Sequence, residues 1–510
     1  MKPAHRKLAR AAMVPLLPVL AACVRFPDDL CAGAGCGSSS FGADAALDAA
    51  TGTGTFSPPG TDDEAHSVHV APSGSDETGD GTQVFPYRSI GAALTHTTDI
   101  LWAVRICSGK YAETISVASS DRVVMLTGGY SCPASGAPWS ALAGATVVRS
   151  AGPHRVTAAG AIFRNLTLEG SDGTALSRST TALEVATRGR AILVDAHVRS
   201  GLGSEGFSGF HAPDDARPGA QGGSPSGSSG GPEITTICAN GSSSTGGGGG
   251  SSDGDPMGET GRPVPIDTAA GTNGGRAGSY TPRLVFCTYG TAGRDANLTA
   301  AQVAGPPGLD ATTFQAGAGV RGLDGAPGQG GGGGGTAFQE TGAPSGASGG
   351  CGGRGGDGGG GGGSSIAIVV RQGVLALFST RVDVAPGGTG GNGGNGAPGA
   401  AGGLGIAAPA VGAGNAGPCG SGNGGHGAGG GGGSGGEGGS ALGILAFRGT
   451  EVRIDGSSVT TDREEDPSVT LGPAGAGGSG GARGIGRAGA GAPAADGKTG
   501  GRQAVRVLHE

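Results

Sequence analysis

The 510-residue chain carries 118 glycines, with only 14% charged and 4% aromatic residues. Glycine is near 7% in ordinary proteins and has no side chain to bury, so only the glycine-poor remainder can build a core, far less than the length implies. The thin aromatic supply excludes an aromatic platform for nucleic acid, and the net charge of −7 excludes a phosphate-neutralising surface.

At the amino terminus Lys2, Arg6, Lys7 and Arg10 precede an uncharged apolar run, Ala11 to Ala22, broken by Pro15 and Pro18. Basic residues followed by a short apolar stretch have the layout of an export signal, and a run of about 12 residues is too short for a bilayer span, which needs roughly 20. Residues 1–22 are therefore read as a signal peptide whose removal leaves a more acidic chain. The end of the run, Leu20-Ala-Ala-Cys23, resembles the lipobox of bacterial lipoproteins. That resemblance implies cleavage before Cys23, acylation of Cys23, and attachment to a membrane through the lipid. Val24 in place of aspartate favours, by the same resemblance, the outer membrane or cell surface of a bacterial envelope.

Residues 23–66 are rich in Ala, Gly, Ser, Thr, Pro and Asp without apolar periodicity, and read as a flexible tether. The folded body is expected over 67–510. Val68-His-Val70 is strand-like, Tyr87 to Leu94 a short helical stretch, and strands follow at Ala103–Ile106, Thr114–Val117, Val123–Leu126 and Thr146–Val148.

Three segments align on Gly189, Gly373 and Gly449. Val185, Val369 and Leu445 stand four residues before the glycine; Leu193 and Leu377 stand four after it, with Ile454 one place late. Val198, Val382 and Val459 follow. Each copy is two or three short strands, and one such unit cannot bury its own apolar face. Stacking successive copies would bury it, each strand pairing with its counterpart at about 4.8 Å. A β-sandwich of hairpins is the alternative, disfavoured by the scarcity of Asn-Gly-type turns.

The runs Val68-His-Val-Ala-Pro-Ser-Gly-Ser-Asp76, Phe85-Pro-Tyr-Arg-Ser-Ile-Gly-Ala-Ala-Leu94 and Ile106-Cys-Ser-Gly-Lys-Tyr-Ala-Glu113 resemble the opening coils of the pectin-lyase-like superfamily. Phe163-Arg-Asn-Leu-Thr-Leu168 is similar to that superfamily's coil-turn segments. The resemblance covers 67–200, 365–384 and 441–461. It implies an all-β fold, a right-handed parallel β-helix solenoid, interrupted by glycine-rich insertions at about 201–280, 290–364, 385–440 and 466–503.

Within the insertions glycine recurs every third residue: it opens seven consecutive triplets from Gly387 to Ala407, and the same frame runs through 319–336, 346–363, 424–439 and 472–486. A period of three fits a polyproline-II-like backbone, which has no internal hydrogen bonds and needs neighbours. The insertions are thus either polyglycine-II-like helices packed side by side or disordered loops. With Cys23 set aside, Cys31, Cys36, Cys107, Cys132, Cys238, Cys287, Cys351 and Cys419 form an even set that reads as disulfides in an exported chain. Pairing of sequence neighbours, 31 with 36, 107 with 132, 238 with 287 and 351 with 419, would staple two glycine-rich loops.

No catalytic set, metal site or cofactor motif emerges. Gly250-Ser-Ser-Asp-Gly254 matches a nucleophile pattern without the strand and helix that pattern requires. His197 reads as lying in a turn and His154, His211 and His426 as isolated, all four at the surface, and His66 and His69 as lying on opposite faces. Arg188 and Arg448 stand just before their repeat glycines, with Gln372 in the equivalent place. The three form a candidate outward ladder for glycan. The resulting expectation is a non-enzymatic, lipid-anchored envelope surface protein, structural or adhesive, with a polysaccharide or an envelope protein as partner and no nucleic acid. The alternative is a polysaccharide lyase or glycoside hydrolase of the same superfamily.

Overall fold

Alternation of Val, Leu and Ile with polar residues dictates strands, and three sheets account for most of them in the computed structural model. It describes residues 64–508 apart from 99–101, 119–122, 134–136, 142–143, 158–159, 187–188, 264–277, 282–285, 297–312, 338–340 and 409–416. The proposed anchor Cys23, the tether as far as residue 63, Cys31, Cys36 and Arg188 lie outside the described residues.

The first sheet has eight strands in the order Ser67–Val70, Ala103–Cys107, Val123–Tyr130, Gly160–Arg164, Gly189–Val194, Gly373–Phe378, Glu451–Ile454 and Ser457–Val459. The second runs from Ser116–Val117 through His154–Val156, Thr180–Val185, Ser365–Val370 and Ala441–Ala446 to Arg502–Val507. The third comprises Gly109–Tyr111, Thr146–Arg149, Thr167–Glu169, His197–Arg199, Arg381–Val384 and Val469–Leu471. From His154 onward the chain visits the second, first and third sheets in turn, again and again. All pairings in these sheets are parallel except that of Glu451–Ile454 with Ser457–Val459.

Register turns the apolar alternation into continuous buried rows. In the first sheet Val68, Val104, Leu126, Phe163, Leu193, Leu377 and Ile454 lie side by side, all buried. Val117, Val156, Val185, Val370 and Ala446 form the row of the second sheet; Tyr111, Val148, Leu168, Val198 and Val382 form that of the third. These rows merge into one core, and each fully buried Val, Leu or Ile contributes about 1.5–3 kcal/mol. Asn165, Asp195, Ser379 and Asp455 all have positive φ. Each follows its first-sheet strand, and Asn and Asp tolerate the left-handed region best. At the first three of these the chain turns toward the third sheet; the N–H of Asn165 donates to Val194 O and that of Asp195 to Phe378 O.

The opening motif is explained by a helix cap. Ile90–Thr95 is a one-and-a-half-turn helix with Ser89 as its N-cap. The Asp76 carboxylate accepts the N–H groups of Arg88 and Ser89, and the Glu113 carboxylate those of Ile90 and Gly91. Burial opposes ionisation of Asp76, but hydrogen bonds from Ser89 and Arg88 outweigh it and hold its carboxyl below the usual range. These acids satisfy the orphan amides at the helix start.

The repeat alignment needs three corrections. Gly189 pairs with Gly373 as expected, but Val374 pairs with Glu451, so Gly449 sits one position early, in a turn at φ +80°. Likewise Val185 lies opposite Val370, while Val369 meets Leu445. Val459 does not join Val198 and Val382; it folds back in a hairpin onto Val452, and Val469 takes the place beside Val382. Asp455 and Gly456, both at positive φ, are the Asp-Gly turn that makes the hairpin.

The described glycine tracts are joined by hydrogen bonds at every third residue. The amides of Gly388, Gly391 and Gly394 donate to the carbonyls of Gly363, Gly360 and Asp357, in opposite chain directions. Those of Gly433, Gly436 and Gly439 donate to Gly394, Gly391 and Gly388, and those of Gly475, Gly478 and Gly481 to Gly439, Gly436 and Gly433. Gly319, Gly322, Gly325 and Gly328 donate to Gly359, Gly356, Gly353 and Gly350. At Gly391 a Cβ would collide with Phe207 O, and at Gly436 with Gly360 O. Glycine is needed there because backbone meets backbone. Exposed Thr389, Asn392 and Asn395 mark the third face of the same tract, and the Asn392 and Asn395 carboxamides accept the N–H groups of Ser479 and Ala482.

This packing overturns two of the expected disulfides. Cys107 bonds Cys132 as expected, but Cys238 bonds Cys351 and Cys287 bonds Cys419. The hairpin Ile234–Ile237/Ser243–Gly246 lies on the tract at Ser348 and Gly349, with Thr236 Oγ1 2.7 Å from Ser348 Oγ and the Gly349 amide on Ser244 Oγ. That contact carries Cys238 to Cys351. The Gly290 amide on Gly420 O similarly brings Cys287 beside Cys419.

Candidate functional site

Outward positions on parallel strands stack as directly as inward ones, so charged residues at one register form rows. On the third sheet Arg149, Glu169, Arg199 and Asp383 stand in successive strands. Arg199 Nη1 lies 2.9 Å from Glu169 Oε1. Asp383 is held from two sides, by His197 Nε2 at 2.8 Å and by Arg381 Nε at 2.9 Å. Burial opposes ionisation of Asp383, but the hydrogen bonds from Arg381 and His197 prevail and keep its carboxyl below the usual range. A carboxyl held ionised in this way is a poor proton donor.

On the second sheet Arg155 and Glu184 are register neighbours. Glu184 accepts from Arg155 Nε at 3.3 Å and from Arg371 Nε at 2.7 Å. The Arg371 guanidinium also lies over two rings, 4.9 Å from the Phe314 centroid and 5.3 Å from that of Phe447. Phe314 comes from the insertion between the third and second sheets and packs on Ile366, Val369, Leu442 and Leu445, sealing the outer face of the second sheet. Between this cluster and the 176–181 segment lies a groove of about 360 Å³ lined by Arg155, Ser177, Ser179, Glu184, Phe314 and Arg371. Polar atoms on a wall stiffened by aromatic and ionic contacts suit hydroxyl-rich ligands.

Gln372 and Arg448 are both exposed, in the turns after Ser365–Val370 and Ala441–Ala446. Since Val370 pairs with Ala446, they occupy the same corner of adjacent strands. Gln372 directly follows Arg371 at the groove rim, so the structure ties that candidate to a site that sequence reasoning missed. The missed partners, Glu184 and Phe314, are distant in the chain; only the strand register connects Glu184 with Arg155, and nothing local marks Phe314.

The histidines also differ from expectation. His154 is fully buried as an inward residue of the second sheet; its Nδ1 accepts the Ile115 amide and its Nε2 faces Val148 O at 3.2 Å. Burial, against hydrogen bonds to Val148 and Glu169, pushes its pKa down to about 4. His69 is buried as well, with Nδ1 3.0 Å from Gly81 O and its ring edge-on to Trp139. His197 lies in a strand and pairs with Asp383. One carboxyl pair emerges that the sequence did not suggest: burial and the neighbouring Glu259 carboxylate raise the Glu233 pKa against the opposing charge of Arg262.

Among the described residues no group of three or more His, Cys, Asp or Glu side chains could hold a metal ion, and no helix is long and apolar enough to cross a membrane. Comparison with protein-family models, with curated proteins and with solved structures finds no match to this chain.

Proposed function

We propose that the protein is a non-enzymatic, lipid-anchored surface protein of a bacterial envelope, serving as a structural or adhesive platform that binds glycan. Its three sheets are the faces of a right-handed parallel β-helix of the pectin-lyase-like kind. Its glycine tracts form a polyglycine-II-like bundle on one flank, and Cys23 carries the lipid.

The observation that carries the reading is the state of the outward acids. Glu169 and Asp383 are each engaged by one arginine and Glu184 by two, and His197 also hydrogen-bonds Asp383, so the rows act as braced polar surface, and the groove beside Arg371 offers hydroxyl-bonding groups rather than a poised acid and base. Support for the coiled fold comes from the repeated visits of the chain to the three sheets and the shared corner at Asn165, Asp195 and Ser379.

Two experiments test it. Labelling cells with a palmitate analogue should mark the wild type and not Cys23→Ser; equal label in both removes the anchor. Incubation with acidic and neutral polysaccharides should give binding without new reducing or unsaturated ends. Turnover that disappears in Glu184→Gln would instead establish the lyase or hydrolase alternative.

A further inference from the structure

The tract from Gly203 to Ala212 is hydrogen-bonded at every third residue: the amides of Gly203, Gly206, Gly209 and Ala212 donate to the carbonyls of Pro386, Thr389, Asn392 and Asn395. Ser204, Phe207 and Phe210 carbonyls accept from Gly363, Gly360 and Asp357. These two sets of bonds fix the rotation of the tract and leave two rows of side chains on its outer side. One row is Phe207, Phe210 and Pro213; the other is Glu205, Ser208, His211 and Asp214, all exposed.

Large apolar side chains rarely stand open to water in a row. Phe207 is 55% and Phe210 78% exposed, and with three residues per turn at 3.1 Å rise their attachment points are about 9 Å apart. That step is comparable with the spacing of alternate pyranose rings in an extended glycan. The Arg178 guanidinium lies 4.7 Å over the Phe207 ring, covering one face of it and adding hydrogen-bond donors beside the ridge. His211 Nδ1 accepts the Asn395 amide, which directs the remaining ring nitrogen away from the bundle. Arg354 pairs with Asp215 at 3.3 Å farther along the ridge.

We infer that this ridge is a binding site for a linear neutral polysaccharide, whose sugar faces stack on Phe207 and Phe210 while its hydroxyls bond to Glu205, Ser208, His211 and Asp214. Charge selects this ligand. The carboxylates Glu205, Asp214 and Asp215 are balanced by Arg178, Arg217 and Arg354, so the ridge has no excess cation for a uronate chain or an anionic bilayer. Side chains held on a hydrogen-bonded backbone lose little freedom on binding, which favours affinity from two rings.

The inference rests on the glycan-binding reading above but places the contact on the glycine bundle instead of the groove. The test is retention of the purified full chain on microcrystalline cellulose, chitin and an insoluble β-1,3-glucan, with polygalacturonate and phosphatidylcholine vesicles as comparisons. Wild type should bind at least one neutral polymer, Phe207→Ala/Phe210→Ala should bind about tenfold more weakly, and Phe210→Tyr should retain binding. An unchanged melting temperature in the alanine variants separates loss of contact from loss of fold, with the single Phe210→Ala as the mildest change. Equal binding by the double variant overturns the ridge while leaving glycan binding at the groove intact. Wild-type binding to polygalacturonate alone also overturns the ridge and leaves the broader reading standing. Phenylalanine-dependent binding to vesicles with none to any polysaccharide overturns both.

Discussion

Replacing Gly391 by alanine probes the point where five tracts of the glycine bundle meet. The Gly391 amide donates to Gly360 O at 2.8 Å and its carbonyl accepts from Gly436 at 2.9 Å. A Cβ on Gly391 would strike Phe207 O, and one on Gly478 would strike Gly391 O. Every neighbour is backbone, so none can rotate aside. Forcing one methyl into such packing costs about 1–3 kcal/mol, and each of the two hydrogen bonds it loosens adds about 1 kcal/mol. The stiffer unfolded chain of the alanine variant offsets about 1 kcal/mol, leaving a net loss of about 3 kcal/mol. At roughly 2 °C per kcal/mol in a long chain, calorimetry should record a fall of several degrees. Gly152→Ala is the control: a Cβ there meets nothing within 4 Å, and the melting temperature should hold or rise slightly. If Gly391→Ala melts with the wild type, the close approach of the tracts is wrong.

Leu193→Ala removes one member of the first sheet's apolar row, between Phe163 and Leu377, and should destabilise by about 2–5 kcal/mol in denaturant titration; a loss below about 1 kcal/mol would contradict its place in the core. His154 is neutral when folded, with its pKa lowered from 6.5 to about 4, so the unfolded chain takes up a proton first as pH falls. Its contribution is therefore complete above about pH 6.5 and declines toward pH 4, by about 3 kcal/mol at most. His154→Gln should flatten that part of the stability profile, and an unchanged slope would refute the burial. Peptide mapping without reductant should recover Cys238 linked to Cys351 and Cys287 linked to Cys419. Because these bonds close loops of 113 and 132 residues, breaking either should cost about 4–5 kcal/mol in the chain-entropy model.

Much of the strand framework was legible in the sequence because apolar alternation and parallel register are both local periodicities. Gly189 and Gly373 aligned on the page and pair in space. The third copy slipped because Gly449 serves a turn, and Val459 was misplaced because the hairpin signal Asp455-Gly456 went unweighted. His154 was misread as a surface residue although its alternation with Val156 around Arg155 puts it inward. The disulfides failed for a different reason: neighbour pairing assumes each glycine loop closes on itself, whereas hydrogen bonds between tracts bring Cys238 to Cys351 across the bundle. The groove was the least legible part. Glu184 meets Arg371 and Phe314 reaches the second sheet only after long insertions have folded back.

Amide hydrogen exchange of the glycine tracts reaches the central claim most directly. If strands and tracts are one hydrogen-bonded fabric, the amides of Gly391, Gly394, Gly433 and Gly436, each donating to a carbonyl of another tract, exchange as slowly as those of Leu193 and Leu377 in the first sheet. Exchange of those four glycines at the rate of an unstructured glycine peptide, while the strands stay protected, would contradict it.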